Sequence, residues 1–214
     1  MLHYKPPTNT GLDVLYKDDY LLVVNKPAGL LSVPGRGPEK QDCLISRTQE
    51  QYPTALIVHR LDMSTSGILV LALDKDTHRQ LSGLFQQREV SKHYIAVVTG
   101  RLELNRGCID KPMICDWPNR PRQIIDVKQG KPAQTHYELL QYDEESDTSR
   151  LKLTPITGRT HQLRLHCQSI GHPILGDPLY GDVAAKRLLL HAANISFKHP
   201  VTNKTMNVSS EVPF

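Results

Sequence analysis

The amino-acid sequence predicts an α+β fold, built on a mixed but largely antiparallel sheet with a few flanking helices. Two observations indicate this class. Many short segments rich in β-branched and aromatic residues have the length of strands and are separated by turn residues. Helical spacing of apolar residues appears in only two or three stretches, and these are interspersed among the strand-like segments.

The N-terminal part of the chain is predicted to contain a strand pair and a short helix. Residues 1–12 are expected to form a loose arm. Strands follow at residues 14–16 and 20–25, where apolar residues cluster between turn residues. Residues 43–51 can form a helix with Asp42 as its N-cap, since aspartate is a favoured capping residue.

Residues 58–67, with the sequence VHRLDMSTSG, are predicted to be a loop leading into a buried strand. The apolar run that follows, residues 68–73, is continuous and of strand length. The loop carries a cation, a carboxylate, an imidazole and several hydroxyls, and loops on rigid scaffolds are where catalytic groups concentrate. A purely structural alternative is a turn in which Asp62 and the hydroxyls bond local backbone amides.

The remainder of the chain continues the same alternation of strands and occasional helices. Asp74 is expected to cap a helix whose apolar stripe includes Leu81 and Leu84. Residues 101–131 are expected to be rich in loops. The other predicted elements are strands at 91–99, 135–142, 150–154, 188–197 and 205–208, and a helix at 161–170.

Composition excludes several classes of protein. The chain has 214 residues, 39% of them hydrophobic and 22% charged, which is typical of a globular and not a disordered protein. No apolar run approaches the about 18 residues that a membrane span needs, and the N-terminus has no apolar signal core. We therefore expect a cytoplasmic protein without a membrane segment.

The cysteines and histidines give little support to a metal site. Cys43, Cys108, Cys115 and Cys167 form no C-x-x-C pair, which predicts reduced thiols and argues against a zinc ribbon. The net charge of +4 is a weak indication of a polyanionic partner.

Several stretches together resemble the RluA family of pseudouridine synthases. The family pattern around its nucleophile, H-R-L-D followed by T-S-G, appears at residues 59–62 and 65–67. Further family blocks follow in family order. They are VVNKPAGL at 23–30, KHYIA with the active-site tyrosine at 92–96, GRTHQLR with the second essential arginine at 158–164, HPI with GD at 172–177, and LHA at 190–192.

The resemblance implies a pseudouridine synthase catalytic fold that occupies residues 13–214 as a single domain. Many relatives carry an N-terminal S4-type RNA-binding domain, and none is expected here. Residues 115–120 and 130–134 look closest to the dual-specificity member that acts on tRNA and ribosomal RNA. The implied substrates are thus the anticodon stem-loop of tRNA and stem-loops of 23S rRNA. The enzyme is expected to be monomeric.

The resemblance also implies an isomerisation in which Asp62 is the catalytic carboxylate. The reaction breaks the N–C glycosidic bond of uridine, turns the base and forms a C–C bond, so neither a cofactor nor a metal is expected. A carboxylate can attack the sugar carbon or stabilise its developing charge. An ionised and partly buried Asp62 needs a nearby cation, and the resemblance assigns this role to Arg164.

Two of these residues have ordinary structural alternatives. Tyr94 could be a core aromatic with a bonded hydroxyl, whereas the resemblance implies that it stacks on uracil and transfers protons. Arg164 would by default be a surface cation on a helix.

RNA contacts are expected around the catalytic loop and from basic residues elsewhere. Arg60 is predicted to enter the RNA where the uridine is flipped out, because the sugar carbon is hidden in a stacked strand. His59 either assists the reaction or packs. The remaining candidates are Arg159, and Arg120 and Arg122 with Lys128, Lys131 and a Trp117 able to stack on a base. Alternatively, this last group is a solvated loop whose prolines bury Trp117.

Two other functions remain open from the sequence. One is a non-catalytic RNA-binding module of the same fold. The other is an RNA hydrolase that uses Asp62 and His59, although a nuclease would usually need a cluster of carboxylates around a metal.

Overall fold

The computed structural model describes residues 4–181 and 185–214, which form two compact units. One unit consists of residues up to Lys92 together with 192–213, and the other of residues 93–191 with Phe214. The expectation of a single catalytic domain over residues 13–214 stays a prediction.

The elements confirm the α+β class, with strands outnumbering helices in the described residues. In chain order they are β1 (Val14–Lys17), β2 (Leu21–Lys26), α1 (Leu44–Gln49), β3 (Leu56–Ile57), β4 (Ser66–Ala72), α2 (Lys75–Gln87), β5 (Ser91–Thr99), β6 (Arg106–Asp110), β7 (Met113–Cys115), β8 (Gln123–Ile125), β9 (Gln134–Asp143), β10 (Thr148–Pro155), α3 (Gln162–Ser169), β11 (Leu190–Lys198) and β12 (Thr205–Ser209).

The first unit is organised around β4, which is buried along its whole length. β2 and β3 both pair with β4 in antiparallel register, and β1 extends the sheet beyond β2. β11 neighbours β4 and pairs with β12. α2 covers this sheet through Leu81, which joins a core that includes Val23, Val70 and Phe197. A strand buried on both faces reads as a continuous apolar run, which is why the sequence predicted β4 correctly.

The second unit contains an antiparallel sheet in the order β5-β10-β9-β6. Residues of β10 alternate between partly exposed and buried, as expected for a strand with one face on the core. Leu151 and Leu153 supply the buried positions, and Leu163 and Cys167 of α3 pack on the same core. β7 and β8 form a separate two-stranded hairpin.

Two local predictions were wrong, the N-cap of the first helix and the loose N-terminal arm. The N-cap of α1 is Cys43 and not Asp42, because the carboxylate of Asp42 binds the guanidinium of Arg47 at 2.7 and 2.8 Å. Residues 101–131 are rich in loops, as predicted, and they also contain the short strands β6, β7 and β8, which the sequence did not reveal. The three-residue strands β7 and β8 are too short to produce a recognisable period in the sequence.

The N-terminal arm is also less loose than predicted from residue 4 onward. Tyr4 is only 7% exposed. Its hydroxyl donates to the Asp42 carbonyl at 2.8 Å and accepts the Leu31 amide proton at 3.1 Å. The Pro7 carbonyl accepts from Arg47 at 2.7 Å. A tyrosine in a proline-rich arm gives no periodic signal, and its partners lie far away in the sequence.

Among the residues that the structure describes, no helix combines the length and the apolar character that crossing a bilayer requires.

Gly67, at the start of β4, has a backbone conformation that residues with a side chain rarely adopt. Its φ is +113°, and a Cβ there would lie 2.5 Å from the Ala192 amide nitrogen and closer still to the Ala192 carbonyl oxygen. We expect Gly67→Ala to lower the free energy of unfolding by at least about 3 kcal/mol, since backbone strain and a backbone clash combine. Urea denaturation followed by circular dichroism measures the change.

Gly83→Ala, within α2, is the matched control. A Cβ added at Gly83 would meet only the Nε2 atom of the flexible Gln87 side chain, at 3.9 Å. Alanine should stabilise this helix by about 0.5–1 kcal/mol. Similar effects of the two substitutions would contradict the assigned strain at Gly67.

Candidate active site

The loop that carries Asp62 is fixed through the backbone on both sides of this residue. On one side, the Ser32 hydroxyl donates to the Leu61 carbonyl at 2.7 Å and accepts the Leu61 amide proton at 3.1 Å. Within the loop, the Thr65 amide donates to the Asp62 carbonyl at 3.1 Å and closes a turn. Asp62 itself is half-buried. The loop is thus a rigid platform for a carboxylate.

On the other side, a buried lysine holds the Met63 carbonyl. Lys26 is 0% exposed, and its Nζ donates to the carbonyls of Met63, Pro27 and Leu30 at 3.1, 2.9 and 2.8 Å. The Gly29 amide also donates to Met63, at 2.8 Å. Burying an ammonium is costly unless its protons are satisfied, and these carbonyls satisfy them. Sequence reasoning included Lys26 in a family block but assigned it no role.

His59 packs in the first unit, which favours the second of the two roles considered for it. Its Nε2 accepts the Val70 amide proton at 3.0 Å, so Nδ1 carries the ring proton. The ring stacks on Phe85 at a centroid distance of 4.5 Å. Burial, assisted by the positive charge of Lys92, lowers the pKa of His59 to about 3. Its neighbour Arg60 is exposed.

Arg164 and Asp177 form a buried ion pair in the second unit. Arg164 is 3% exposed and Asp177 0%, and the guanidinium donates Nε to Oδ2 and Nη2 to Oδ1, both at 2.7 Å. Burial raises the pKa of Asp177, but hydrogen bonds and charge from Arg164, with amides of Leu179 and Tyr180, outweigh it and leave the pKa lowered. The alternative of a surface cation is therefore wrong for Arg164.

The pairing also shows what orients Arg164. The bidentate contact uses one edge of the guanidinium and fixes its plane. Asp177 lies 13 positions after Arg164 in the sequence, and the sequence predicted no role for it beyond its place in a family block. The predicted partnership of Arg164 with Asp62 stays a prediction.

Tyr94 lies on β5 opposite Leu153 of β10 and is half-buried against the core of the second unit. Its neighbours Ala96 and Val98, at alternate positions, are fully buried. The strand thus holds the ring on the core-facing side of the sheet.

The basic group predicted to contact RNA lies on the β7–β8 hairpin and the segments beside it. Trp117 is 65% exposed, and the Arg120 guanidinium covers its ring at 4.6 Å from the centroid. The alternative in which prolines bury Trp117 is wrong. Arg122 is exposed, with its guanidinium 5.7 Å from the Tyr180 ring centroid. Arg159 is exposed and donates to the Pro132 carbonyl at 3.2 Å.

Within residues 4–181 and 185–214, no three His, Cys, Asp or Glu side chains are grouped so that they could hold a metal ion. The carboxylate cluster that a metal-dependent nuclease would use is therefore not found among them.

The family follows from comparison with known proteins. The family model for RNA pseudouridylate synthases matches residues 20–169. The chain belongs to this family. It is therefore an RNA pseudouridine synthase, an isomerase that acts on uridine in RNA. The resemblance to pseudouridine synthases seen in the sequence motifs is confirmed.

Individual relatives of this synthase cover its full length. It is 49% identical over 219 residues to the dual-specificity RNA pseudouridine synthase RluA of Pasteurella multocida (strain Pm70), covering 100% of this chain and 99% of the relative. It is 48% identical over 218 residues to the protein of the same name from Escherichia coli (strain K12), with the same coverage.

The fold is similar to that of solved structures from the same family. Human RNA Pseudouridylate Synthase Domain Containing 1 matches with a TM-score of 0.81 and 31% identity, covering 98% of this chain and 87% of that one. Human RNA Pseudouridylate Synthase Domain Containing 4 matches with a TM-score of 0.76 and 26% identity, covering 94% and 88%.

The buried pair in this synthase predicts a strong asymmetry between two carboxylates. Asp177→Asn would leave the Arg164 guanidinium buried beside a neutral partner, and we expect the free energy of unfolding to fall by about 3–5 kcal/mol. Glu138→Gln removes the same charge from an exposed pair with Arg106, also at 2.7 Å, and should change stability far less. Chemical denaturation of both variants provides the comparison. Equal losses of unfolding free energy in the two variants would show that burial does not govern how much each ion pair contributes to stability.

His59 predicts a pH dependence of stability. Its pKa is lowered in the fold, so between about pH 6.5 and 3 the unfolded chain binds a proton that the folded chain does not. Stability should fall as pH falls through this window, by at most about 1.4 kcal/mol per pH unit from this residue. His59→Gln keeps an acceptor for the Val70 amide and should flatten the dependence between pH 7.5 and 5. His191, whose pKa burial lowers to about 4, should maintain part of the remaining dependence, together with His93 and His166, whose pKa values burial also lowers.

The exposed His136 on β9 provides the control for removing one histidine. If His136→Gln and His59→Gln flattened the curve equally, the neutral state of His59 would not be the source.

Proposed function

We propose that this synthase isomerises single uridines in RNA stem-loops, both in the tRNA anticodon loop and in 23S rRNA, with Asp62 as nucleophile. The observation that carries the proposal is the rigid Asp62 loop, whose sequence is the family's nucleophile block. The relatives' shared name, which describes a dual specificity for RNA, supports two kinds of substrate, since the similarity extends over 99% of their length.

The proposed reaction needs no co-reactant. The Asp62 carboxylate bonds to the sugar C1′ while the C1′–N1 bond breaks, and the electron pair goes to the uracil. The base turns, C5 bonds to C1′ as the carboxylate leaves, a proton departs from C5, and N1 gains one. Composition and oxidation state are unchanged, so we propose that side chains alone carry the reaction.

Tyr94 and Arg164 are the other catalytic residues that the family resemblance assigns. A tyrosine ring provides a face for stacking on uracil, and its hydroxyl can move the proton between C5 and solvent. Arg164 would favour the ionised form of the nucleophile. The bidentate contact with Asp177 supports a fixed guanidinium, which suits a residue that must hold a catalytic charge in one place.

Reaching C1′ requires the uridine to leave the base stack, so we propose base flipping. The exposed Arg60, next to the nucleophile, is the candidate to occupy the vacated position. Unpaired loops make flipping least costly, which supports stem-loop substrates. Arg120, Arg122 and Trp117 are proposed to contact the loop, through phosphate contacts and base stacking.

A cytoplasmic monomer is the simplest setting for this activity. Both tRNA and ribosomal RNA are reached there, and one chain supplies every residue named for the chemistry.

Asp62→Asn should fold and bind RNA like the wild type but form no detectable pseudouridine, because an amide is not a nucleophile. Tyr94→Phe keeps the stacking face and should bind RNA while turning over at least about a hundredfold more slowly. Tritium release from [5-³H]uridine-labelled RNA and a filter-binding assay measure the two properties. The wild type in EDTA is the control, and it should keep its activity on a short stem-loop that folds without magnesium.

The same assays separate the alternatives. Strand cleavage or free uracil in place of pseudouridine would favour the hydrolase. RNA binding with neither product would favour the non-catalytic module. Turnover by Asp62→Asn would falsify the assignment of the nucleophile.

The small substrate proposed here can be tested directly. A minimal tRNA anticodon stem-loop and a matching stem-loop from 23S rRNA should be modified with kcat/KM values within about tenfold of each other. Arg60→Ala should slow both, since flipping is common to them. Arg120→Ala with Arg122→Ala should weaken binding to both and reduce the slope of log Kd against log salt by about 1 to 2.

Lys198→Ala serves as the control for removing positive charge, because Lys198 lies on β11 in the other unit. If full-length tRNA or assembled ribosomal particles were required, the proposal of a small recognised loop would be wrong.

A further inference from the structure

Tyr180 is a buried residue to which sequence and family motifs assigned no role. It is 6% exposed. Its hydroxyl accepts the Gln123 amide proton at 2.7 Å and is hydrogen bonded to Nδ1 of His161 at 2.9 Å. Two guanidinium groups lie over its ring, with Arg164 at 5.2 Å and Arg122 at 5.7 Å from the ring centroid. One side chain therefore contacts both the hairpin and the start of α3.

The contact with Gln123 anchors the hairpin at the base of its tip, where β8 begins. Gln123 is the first residue of β8, paired with Cys115, and it directly follows Arg122. Beyond this pair the hairpin tip is closed by its own backbone bonds, including Asp116 to Arg122 at 3.0 Å. The tip that carries Trp117 therefore forms a local unit, and the tyrosine hydroxyl ties its base to the rest of the second unit.

The other contacts of Tyr180 lead to Arg164. Its backbone amide donates to Oδ1 of Asp177 at 3.2 Å, and Asp177 is the carboxylate that fixes the Arg164 guanidinium. His161, the hydroxyl's other partner, is the N-cap residue of α3, with a left-handed φ of 56°. Arg164 follows within the first turn of that helix. The position of Tyr180 is thus linked to Arg164 through its ring, its amide and the helix start.

We propose that Tyr180 is a positioning residue that couples the Trp117 hairpin to Arg164, so that RNA held by the hairpin is aligned with the catalytic arginine. The inference rests on the proposed function, because it takes the hairpin to contact RNA and Arg164 to act in catalysis. The hydroxyl sets the hairpin through Gln123, while the ring and the amide set the arginine.

Tyr180→Phe removes the hydroxyl and keeps the ring and the backbone amide. The phenylalanine ring keeps the contacts with Arg164 and Arg122, but the Gln123 amide and His161 Nδ1 both lose their partner. Losing one buried hydrogen bond between neutral groups corresponds to about 2- to 13-fold, so losing two predicts a fall in kcat/KM of at least about fivefold. The fall should appear mainly in KM, because the substrate-holding hairpin is released while Arg164 stays in place.

Trp117 is the only tryptophan of the chain, so its fluorescence reports on the hairpin alone. In Tyr180→Phe without RNA, the Stern–Volmer constant for acrylamide quenching of Trp117 should differ from that of the wild type. The reason is that the hairpin has lost the hydrogen bond from Gln123 to the Tyr180 hydroxyl. Tyr142→Phe is the matched control. It removes a hydroxyl bonded to Asp147 in the turn between β9 and β10 and should leave both the quenching and KM as in the wild type.

A double-mutant cycle with Trp117→Ala completes the test. If Tyr180 acts through the hairpin, its KM effect should disappear in the Trp117→Ala background. Additive effects, or an unchanged KM and unchanged quenching in Tyr180→Phe, would overturn the proposal. So would a variant that only melts at a lower temperature. If Trp117→Ala bound and modified RNA normally, the RNA-contacting role of the hairpin in the proposed function would fail instead, whatever Tyr180 does.

Discussion

The geometry of the loop that carries Asp62 depends on a buried ammonium group. Lys26 directs its protons to carbonyls of the 26–30 segment and of Met63, so two distant stretches of the chain are held against each other. A hydrogen bond to a neutral carbonyl is stronger when its donor is charged. Ser32 adds a second connection at Leu61. Asp62 lies between these two anchored residues, and its backbone has little freedom left.

The second unit reaches a similar result with a side-chain pair. Arg164 is oriented by Asp177, whose oxygens also accept from the backbone amides of Leu179 and Tyr180. Each unit thus contains a buried cation whose hydrogen bonds fix the chain around a residue proposed to be catalytic. The two arrangements differ in cost. Neutralising Asp177 removes the bidentate partner of the buried Arg164, whereas the lysine donates to several neutral carbonyls.

Long periodic segments could be predicted from the sequence, and specific long-range contacts could not. β4 is a continuous apolar run, α2 begins at a capping Asp74, and β5 has the predicted bounds. Asp62, Tyr94 and Arg164 were assigned through family motifs, since loop composition alone also allowed a simple turn, and their catalytic roles stay predictions. The contacts of Asp177 and Tyr180 were missed because their partners lie 13 and 57 positions away, which no local pattern records.

The stacking of Arg120 on Trp117 makes this surface one-sided. The guanidinium occupies one face of the indole, and a ring that is 65% exposed offers its opposite face to the solvent. A nucleobase that stacks there becomes the third layer of a pile whose far layer is a cation. The charge then lies about 8 Å from the base, because the guanidinium carbon is 4.6 Å from the indole centroid and a stacked base adds about 3.5 Å, the contact distance of carbon atoms. At that spacing it can attract a phosphate of the neighbouring nucleotide while the base itself meets an uncharged aromatic face. In the proposed RNA contact, a strand that runs past the indole edge therefore uses both the ring and the charge.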